Sequence, residues 1–368
     1  MKIDAAVAYV GQQDFALEQI EIAEPNADEI LVKIAGVGIC HTDLFIRDVA
    51  GAIFTHPAVL GHEGAGTVVA VGVNVSKVAI GDEVALTFRY CGECRNCSHG
   101  PSAYCENFPA LNMSGARTDG TRPLSGNAGE LEGNFFGQSS FATHCLTYES
   151  NVVKVPAGIP THLAGPLGCA VQTGAGAILN SLDVQPGSSV VVLGGGPVGQ
   201  SAVMAAKLRG CATIVLVEPQ EGRRNFGLEH GATHALDPMA HDDMEAALRA
   251  ILPEGFENAF DTTGLEGALE PVMAALKING AIGLVGLSHS DADLPVKINR
   301  LAGAGVRIIG IIEGDSEPDE FLPYLMDQHL AGNLPFDDMI TTYPFKDINR
   351  AIAEQHAGKC IKAVLLPE

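Results

Sequence analysis

The pattern of apolar and polar positions changes character near residue 171. Before it, short apolar runs stand between Gly, Pro and Asp residues. Glu29-Ile30-Leu31-Val32-Lys33-Ile34 and Gly66-Thr67-Val68-Val69-Ala70-Val71 are two of them, and they predict short strands joined by turns. Residues 106–134 are rich in Gly, Asn, Ser and Thr, which predicts a long loop. Beyond residue 171 the runs become uniformly apolar. Residues 188–193 read as a buried strand, 200–209 carry helical spacing, and 212–217 read as a second buried strand. The alternation recurs through Ala259-Phe260-Asp261 and residues 281–285. Apolar strands separated by helices predict a parallel sheet covered on both faces. The tail after about residue 313 reads as helices plus short strands, with a helix over 321–329.

Composition narrows the class. At 368 residues the chain exceeds a typical domain of roughly 100–200 residues, so two domains are expected. A formal charge of -22 argues against nucleic-acid and anionic-membrane partners, both of which call for basic patches. The start, Met1-Lys2-Ile3-Asp4, lacks the basic and apolar pattern of a secretory signal. The most apolar stretch, 271–287, is interrupted by Lys277 and Asn279, so no membrane span is expected and the cytoplasm is the expected location. In that compartment, clustered cysteines point to metal rather than to disulfides.

Two motifs carry chemistry by spacing. Cys91, Cys94, Cys97 and Cys105 form C-x2-C-x2-C-x7-C, four thiolates able to surround Zn²⁺ tetrahedrally with no open position. An iron–sulfur cluster is the rival, although the last spacing exceeds that of the common ferredoxin run. Gly194-x-Gly196-x-x-Gly199 lies between strand and helix, enclosing Pro197 and Val198. There the first glycine permits a tight turn, the second lets a pyrophosphate approach and the third allows helix–strand packing. Glu218 follows about twenty residues later, where a carboxylate accepts ribose hydroxyls and repels a 2′-phosphate; this favours NAD over NADP. Arg223 and Arg224 offer the opposing possibility of a phosphate contact.

Further segments extend the pattern: Gly38-Ile39-Cys40-His41-Thr42-Asp43, Gly61-His62-Glu63-Gly64 and Gly168-Cys169, in order with the cysteine lobe and the glycine loop. Over nearly its whole length the sequence resembles the zinc-containing medium-chain alcohol dehydrogenases. The resemblance implies an α/β fold in which a doubly wound (Rossmann) parallel-sheet domain, 171–312, joins a mostly β, GroES-like catalytic domain built from 1–170 and 313–368. It implies two zinc ions per subunit: a catalytic one on Cys40, His62 and Cys169, with an open position suited to a Lewis acid, and a structural one on the four-cysteine lobe. Glu63 resembles a carboxylate that approaches the metal, and Asp43 the partner of the histidine ligand. Thr42 matches the hydroxyl that takes the substrate proton. A histidine often ends that relay three residues on; here the position is Phe45, and water is one alternative acceptor. His41 and Lys362 resemble contacts to the cofactor phosphates, Thr173 a residue against the nicotinamide ring, and Phe135 and Phe136 a substrate-pocket wall. All of these residues also have plain structural readings.

Within the family, Phe45 and the 106–134 segment look closest to bacterial benzyl and allylic alcohol dehydrogenases. The expected reaction is therefore oxidation of a primary aryl or allylic alcohol to its aldehyde. Glutathione-dependent formaldehyde oxidation is the alternative, disfavoured by sparse Lys and Arg; polyol oxidation is less expected because Cys169 supplies a third ligand. A non-catalytic zinc- and nucleotide-binding protein is the remaining reading. The resemblance also suggests a homodimer or homotetramer.

Overall fold

Strand Glu29–Gly38 is the organising element of the amino-terminal part, because its aliphatic side chains Ile30, Val32, Ile34 and Val37 are all buried. A computed structural model of the chain describes residues 1–127, 129–287 and 293–367. It divides into two units: Met1–Ala170 with Glu317–Ala331 and Asp337–Glu368, and Val171–Ser316 with Gly332–Phe336. The second division thus falls after residue 316 rather than 312, and a short later segment returns to the second unit.

In the first unit, Glu29–Gly38 pairs antiparallel with Gly64–Val71, His144–Tyr148 and Lys362–Leu366. The last pairing, Val364 opposite Gly38, brings the carboxyl-terminal segment into the amino-terminal sheet. A second sheet runs Ala58–Val59, Lys2–Ala8, Ala16–Ile22, Leu124–Gly126, Gly129–Leu131. Phe88, Phe135 and Phe141 fill the interior.

The long loop expected over 106–134 is corrected by the structure. It holds a short helix, Phe108–Asn112, and the hairpin Leu124–Gly126 with Gly129–Leu131. Leu111, Leu124 and Leu131 are buried. Three apolar side chains among turn formers make no detectable period, so tertiary contacts set the structure here. One is a two-pronged contact from Arg117 Nε and Nη2 to the Glu29 carboxylate, each 2.7 Å.

In the second unit, the parallel strands lie in the order His234–Leu236, Thr213–Val217, Ser189–Leu193, Phe256–Asp261, Leu276–Leu284, Arg307–Gly310. By chain order this is 3-2-1-4-5-6, the doubly wound dinucleotide-binding arrangement. The strands expected at 188–193 and 212–217 are present within a residue. The helix expected at 200–209 spans Pro197–Arg209, beginning on the proline, whose fixed φ suits a first helical turn. The tail helix spans Pro318–Leu330. Among the described residues no helix is long and apolar enough to cross a membrane.

Candidate active site and metal centres

Three chain segments bring Cys40, His62 and Cys169 together within the first unit. Strand Glu29–Gly38 delivers Cys40 to the N-cap of helix His41–Asp48, and His62 and Glu63 lead into Gly64–Val71 beside it. Cys169 closes the turn Gly165–Gly168. That turn lies directly on strand Glu83–Leu86: a Cβ on Gly168 would sit 1.8 Å from the Leu86 carbonyl oxygen, and Thr87 Oγ1 donates to Gly168 O at 2.8 Å. Only glycine admits this approach, so Gly168 sets where Cys169 sits. One potential ligand atom each from Cys40, His62, Glu63 and Cys169 falls within 4.8 Å of the others.

Asp43 orients the histidine. Its buried carboxylate accepts from His62 Nδ1 at 2.8 Å, Gly61 N at 3.0 Å and Cys40 N at 3.1 Å. An acceptor at Nδ1 places that proton there and leaves the Nε2 lone pair facing the sulfurs. Nε2 is buried with no hydrogen-bond partner, which fits a nitrogen that would ligate a metal ion. A hydrogen bond with Cys169 holds the Cys40 thiol well below the usual range. Burial opposes a charge on His62, yet Asp43 and Cys40 raise its pKa well above the ordinary value. Metal loading therefore displaces protons from this set. Two soft sulfurs and one imidazole suit zinc. Asp43→Asn would keep one acceptor oxygen for His62 but lose the negative charge and set an NH2 donor against the Cys40 N–H. It is expected to weaken zinc binding at this centre by about 10–100-fold, read by competition with a chromogenic chelator.

The other expected residues lie as follows. Thr42 Oγ1 is 3.8 Å from Cys40 Sγ. Phe136 stacks on the His62 ring with centroids 4.5 Å apart, and Phe135 meets it edge-on at 5.7 Å; both are buried. His41 is exposed and stacks on His356. Phe45 is 42% exposed and has no proton-carrying atom in its side chain.

Lys362 is 1% exposed, its ammonium ion-paired with Glu63 and donating to Ile39 O at 2.9 Å. A buried ammonium needs a counter-charge, and Glu63 is that charge. Burial pushes the Glu63 carboxyl up to about 7, with Lys362 working against it. Sequence reasoning also missed Gln138, which donates to His62 O at 2.9 Å and accepts from Gly64 N at 3.0 Å. It brackets the histidine from 76 positions away, with no local signal.

The four-cysteine lobe forms a separate cluster with ligand atoms within 4.8 Å. Cys91 and Cys97 sulfurs are 3.9 Å apart, and those of Cys94 and Cys97 3.4 Å. A tetrahedron of roughly 2.3 Å zinc–sulfur bonds has edges of about 3.8 Å, so the set fits this ion. Backbone N–H groups of Cys91, Cys94, Cys97 and Glu106 point at the sulfurs. Burial opposes ionisation of Cys91, but N–H groups of Glu93 and Cys94 draw its pKa down to about 6. Burial and the Cys94 thiol push Cys97 up to about 12. Crowded thiols that cannot all ionise alone are what a divalent cation relieves.

In the second unit, the glycine loop has the form a dinucleotide needs. Gly194 has φ +90°, a Cβ on Gly199 would lie 1.8 Å from Gly194 O, and a Cβ on Gly196 would meet nothing within 4 Å. Tight turn, helix contact and open approach thus fall on the first, third and second glycines. Pro197 and Val198 begin the helix, with Gly196 as its N-cap. Glu218 is buried at the end of Thr213–Val217, accepting from Gly195 N at 2.6 Å and Gln220 N at 2.9 Å. Arg224 donates to the Glu218 and Pro219 carbonyls and pairs with Asp237 at 3.3 Å. Arg223 lies on helix Glu221–His230, its carbonyl accepting from Gln200. At the strand ends, a cavity of about 410 Å³ is lined by Leu193, Val217, Pro238, Met244, Ala268 and Pro271, among others. Thr173 is buried and donates to Glu313 at 3.3 Å.

Comparison with known proteins agrees with both units. Residues 26–157 match the family model described as alcohol dehydrogenase GroES-like domain, and 197–328 that described as zinc-binding dehydrogenase. Geraniol dehydrogenase of Castellaniella defragrans is 45% identical over 352 residues, covering 95% of this chain and 94% of the relative. S-(hydroxymethyl)glutathione dehydrogenase of Komagataella pastoris is 31% identical, covering 99% and 97%. The crystal structure of benzyl alcohol dehydrogenase from Acinetobacter calcoaceticus superposes with a TM-score of 0.95 at 39% identity, covering 100% of both chains. An alcohol dehydrogenase zinc-binding domain protein from Burkholderia ambifaria gives 0.96 at 44%, also covering 100% of both.

Proposed function

The chain belongs to the zinc-containing medium-chain alcohol dehydrogenases, and from that premise we propose that it oxidises primary aryl or allylic alcohols to aldehydes with NAD as hydride acceptor. The observation that carries the reading is the convergence of two sulfurs and an unsatisfied, Asp43-oriented imidazole nitrogen beside the Thr42 hydroxyl. Cys40, His62 and Cys169 would hold the catalytic zinc, whose Lewis acidity makes the alcohol easier to deprotonate, while NAD, when bound, accepts the hydride.

The residues then divide the work. Thr42 Oγ1 takes the alcohol proton while donating its own, since a hydroxyl accepts and donates at once. Phe45 cannot carry that proton further, so it passes to water. Phe135 and Phe136 pack on His62, limit its motion and keep water from it. Cys91, Cys94, Cys97 and Cys105 hold a second, structural zinc. The glycine loop takes the pyrophosphate, the cavity between Leu193, Val217 and Ala268 takes the adenine, and Glu218 takes the ribose hydroxyls.

The two similar proteins named for geraniol and benzyl alcohol support an aryl or allylic substrate. The glutathione-linked relative is less similar, at 31% identity. A panel of alcohols tests the choice: benzyl alcohol and geraniol are expected to give higher kcat/KM than ethanol, sorbitol or formaldehyde with glutathione. Faster turnover on any of the latter would overturn the substrate assignment. Cofactor choice is tested separately. Glu218→Ser removes the ribose acceptor and the charge that repels a 2′-phosphate. It is expected to lower the NAD:NADP ratio of kcat/KM by about tenfold or more.

A further inference from the structure

Glu313 is a buried carboxylate that the reaction outlined above does not use. It follows strand Arg307–Gly310, at the carboxyl end of the sheet edge. Its backbone has φ +51°, that of Gly314 +67° and that of Asp315 +49°. Consecutive left-handed residues, two of them not glycine, are a conformation that only a well-braced segment maintains, and such strain gathers at ligand clamps. Here the bracing is visible. Glu313 accepts from Gln172 Nε2 at 3.0 Å and Thr173 Oγ1 at 3.3 Å. Ser316 Oγ donates to Glu313 O at 2.7 Å, and Asn180 Nδ2 to Gly314 O at 3.1 Å. A Cβ on Gly176 would fall 2.3 Å from the Gly314 oxygen, so the segment touches the end of helix Ala170–Gly176 backbone to backbone. The Glu313 carboxylate is thereby held against Gln172 and Thr173.

Its place in the sheet gives that side chain a meaning. A doubly wound sheet binds a dinucleotide at the carboxyl ends of its strands, one mononucleotide to each half. The glycine loop and Glu218 mark the half formed by Ser189–Leu193, Thr213–Val217 and His234–Leu236 as the adenosine side. The half formed by Phe256–Asp261, Leu276–Leu284 and Arg307–Gly310 is left for the nicotinamide, and Glu313 stands at its carboxyl end. Oxidation and reduction change the charge of that ring: NAD carries a cationic pyridinium, and NADH a neutral dihydropyridine. A fixed carboxylate in a poorly solvated site interacts with the first far more than with the second.

We propose that Glu313 biases the cofactor site, its carboxylate raising the affinity for oxidised relative to reduced nicotinamide. The inference rests on the nicotinamide-dinucleotide reading above. It goes beyond that reading in naming a residue that shifts the balance of affinities towards the oxidised form. Thr173 and Gln172 are the positioning residues that keep the carboxylate in place.

Equilibrium binding of NAD and of NADH, each measured by calorimetry on the zinc-loaded wild type and on Glu313→Gln and Glu313→Asp, tests it. Glutamine preserves shape and an acceptor for Gln172 and Thr173 but removes the charge. In Glu313→Gln the ratio of NAD to NADH affinity is expected to fall by about tenfold or more, with NADH binding kept or tightened. Glu313→Asp, which keeps the charge, is expected to stay nearer the wild-type ratio. A ratio within about twofold of wild type in Glu313→Gln overturns the proposal, whether both affinities drop together, as for a purely structural tie, or neither moves. Absence of binding of either dinucleotide to the wild type would instead remove the cofactor reading, and the inference with it.

Discussion

Cys40→Ser is expected to lower alcohol oxidation by at least about 10³-fold in kcat/KM, because the set loses a soft ligand and with it the Lewis acid. A serine hydroxyl at the N-cap still receives the helix start, since Ser is among the best capping residues and Asp43 continues to accept from the residue 40 N–H. Stability is therefore expected to change little, and the effect separates chemistry from folding. Metal analysis should show about one zinc per chain in the variant against about two in the wild type, the remaining ion held by the four-cysteine lobe. A variant that kept both ions and most of its activity would place the catalytic metal elsewhere.

Cys105→Ser is expected to do the reverse. The lobe has little hydrophobic core of its own: Cys91, Cys94 and Cys97 are only partly buried, and helix Arg95–His99 has no buried residue. Its shape therefore depends on the ion, and a broken ligand set gives up several kcal/mol of folding energy. A fall in the melting temperature of roughly 10 °C or more is expected. Limited proteolysis should cut within 91–112 in the variant and spare the wild type. An unchanged melting profile would mean that the lobe holds its form without metal.

These two centres were not equally legible in the sequence. The lobe is local: four cysteines within fifteen residues can reach one ion whatever the rest of the chain does. The glycine loop is likewise local, and each glycine has the steric reason that its position implied. Cys40, His62 and Cys169 are different, since nothing in their spacing unites them and only a family resemblance joined them. What unites them in the fold is long-range packing, namely the pairing of Glu29–Gly38 with Gly64–Val71 and the contact of Gly168 with Leu86. Interactions of this kind leave no period. Gln138 behind His62 and Glu313 against Thr173 are separated from their partners by 76 and 140 positions, and neither had a signal. Lys362 resembles a phosphate contact by its place in the sequence, which gives no sign of its buried ion pair. The structure shows an ammonium whose charge is taken up by Glu63 inside the first unit. Composition misled in one further place, the 106–134 segment, where turn-forming residues concealed a helix and a hairpin fixed by three buried leucines and Arg117.

The proposed function requires metal at the Cys40–His62–Cys169 set for hydride transfer from an aryl or allylic alcohol to NAD. Reduction of NAD by benzyl alcohol, followed on one sample before chelation, after selective removal of the zinc at Cys40, His62 and Cys169 and after zinc is restored, measures this directly. Activity is expected to vanish with loss of that zinc, about one per chain, and to return with it, while the fold, monitored by circular dichroism, stays intact throughout. NADH formation that continues undiminished in the zinc-depleted protein would contradict the proposed function.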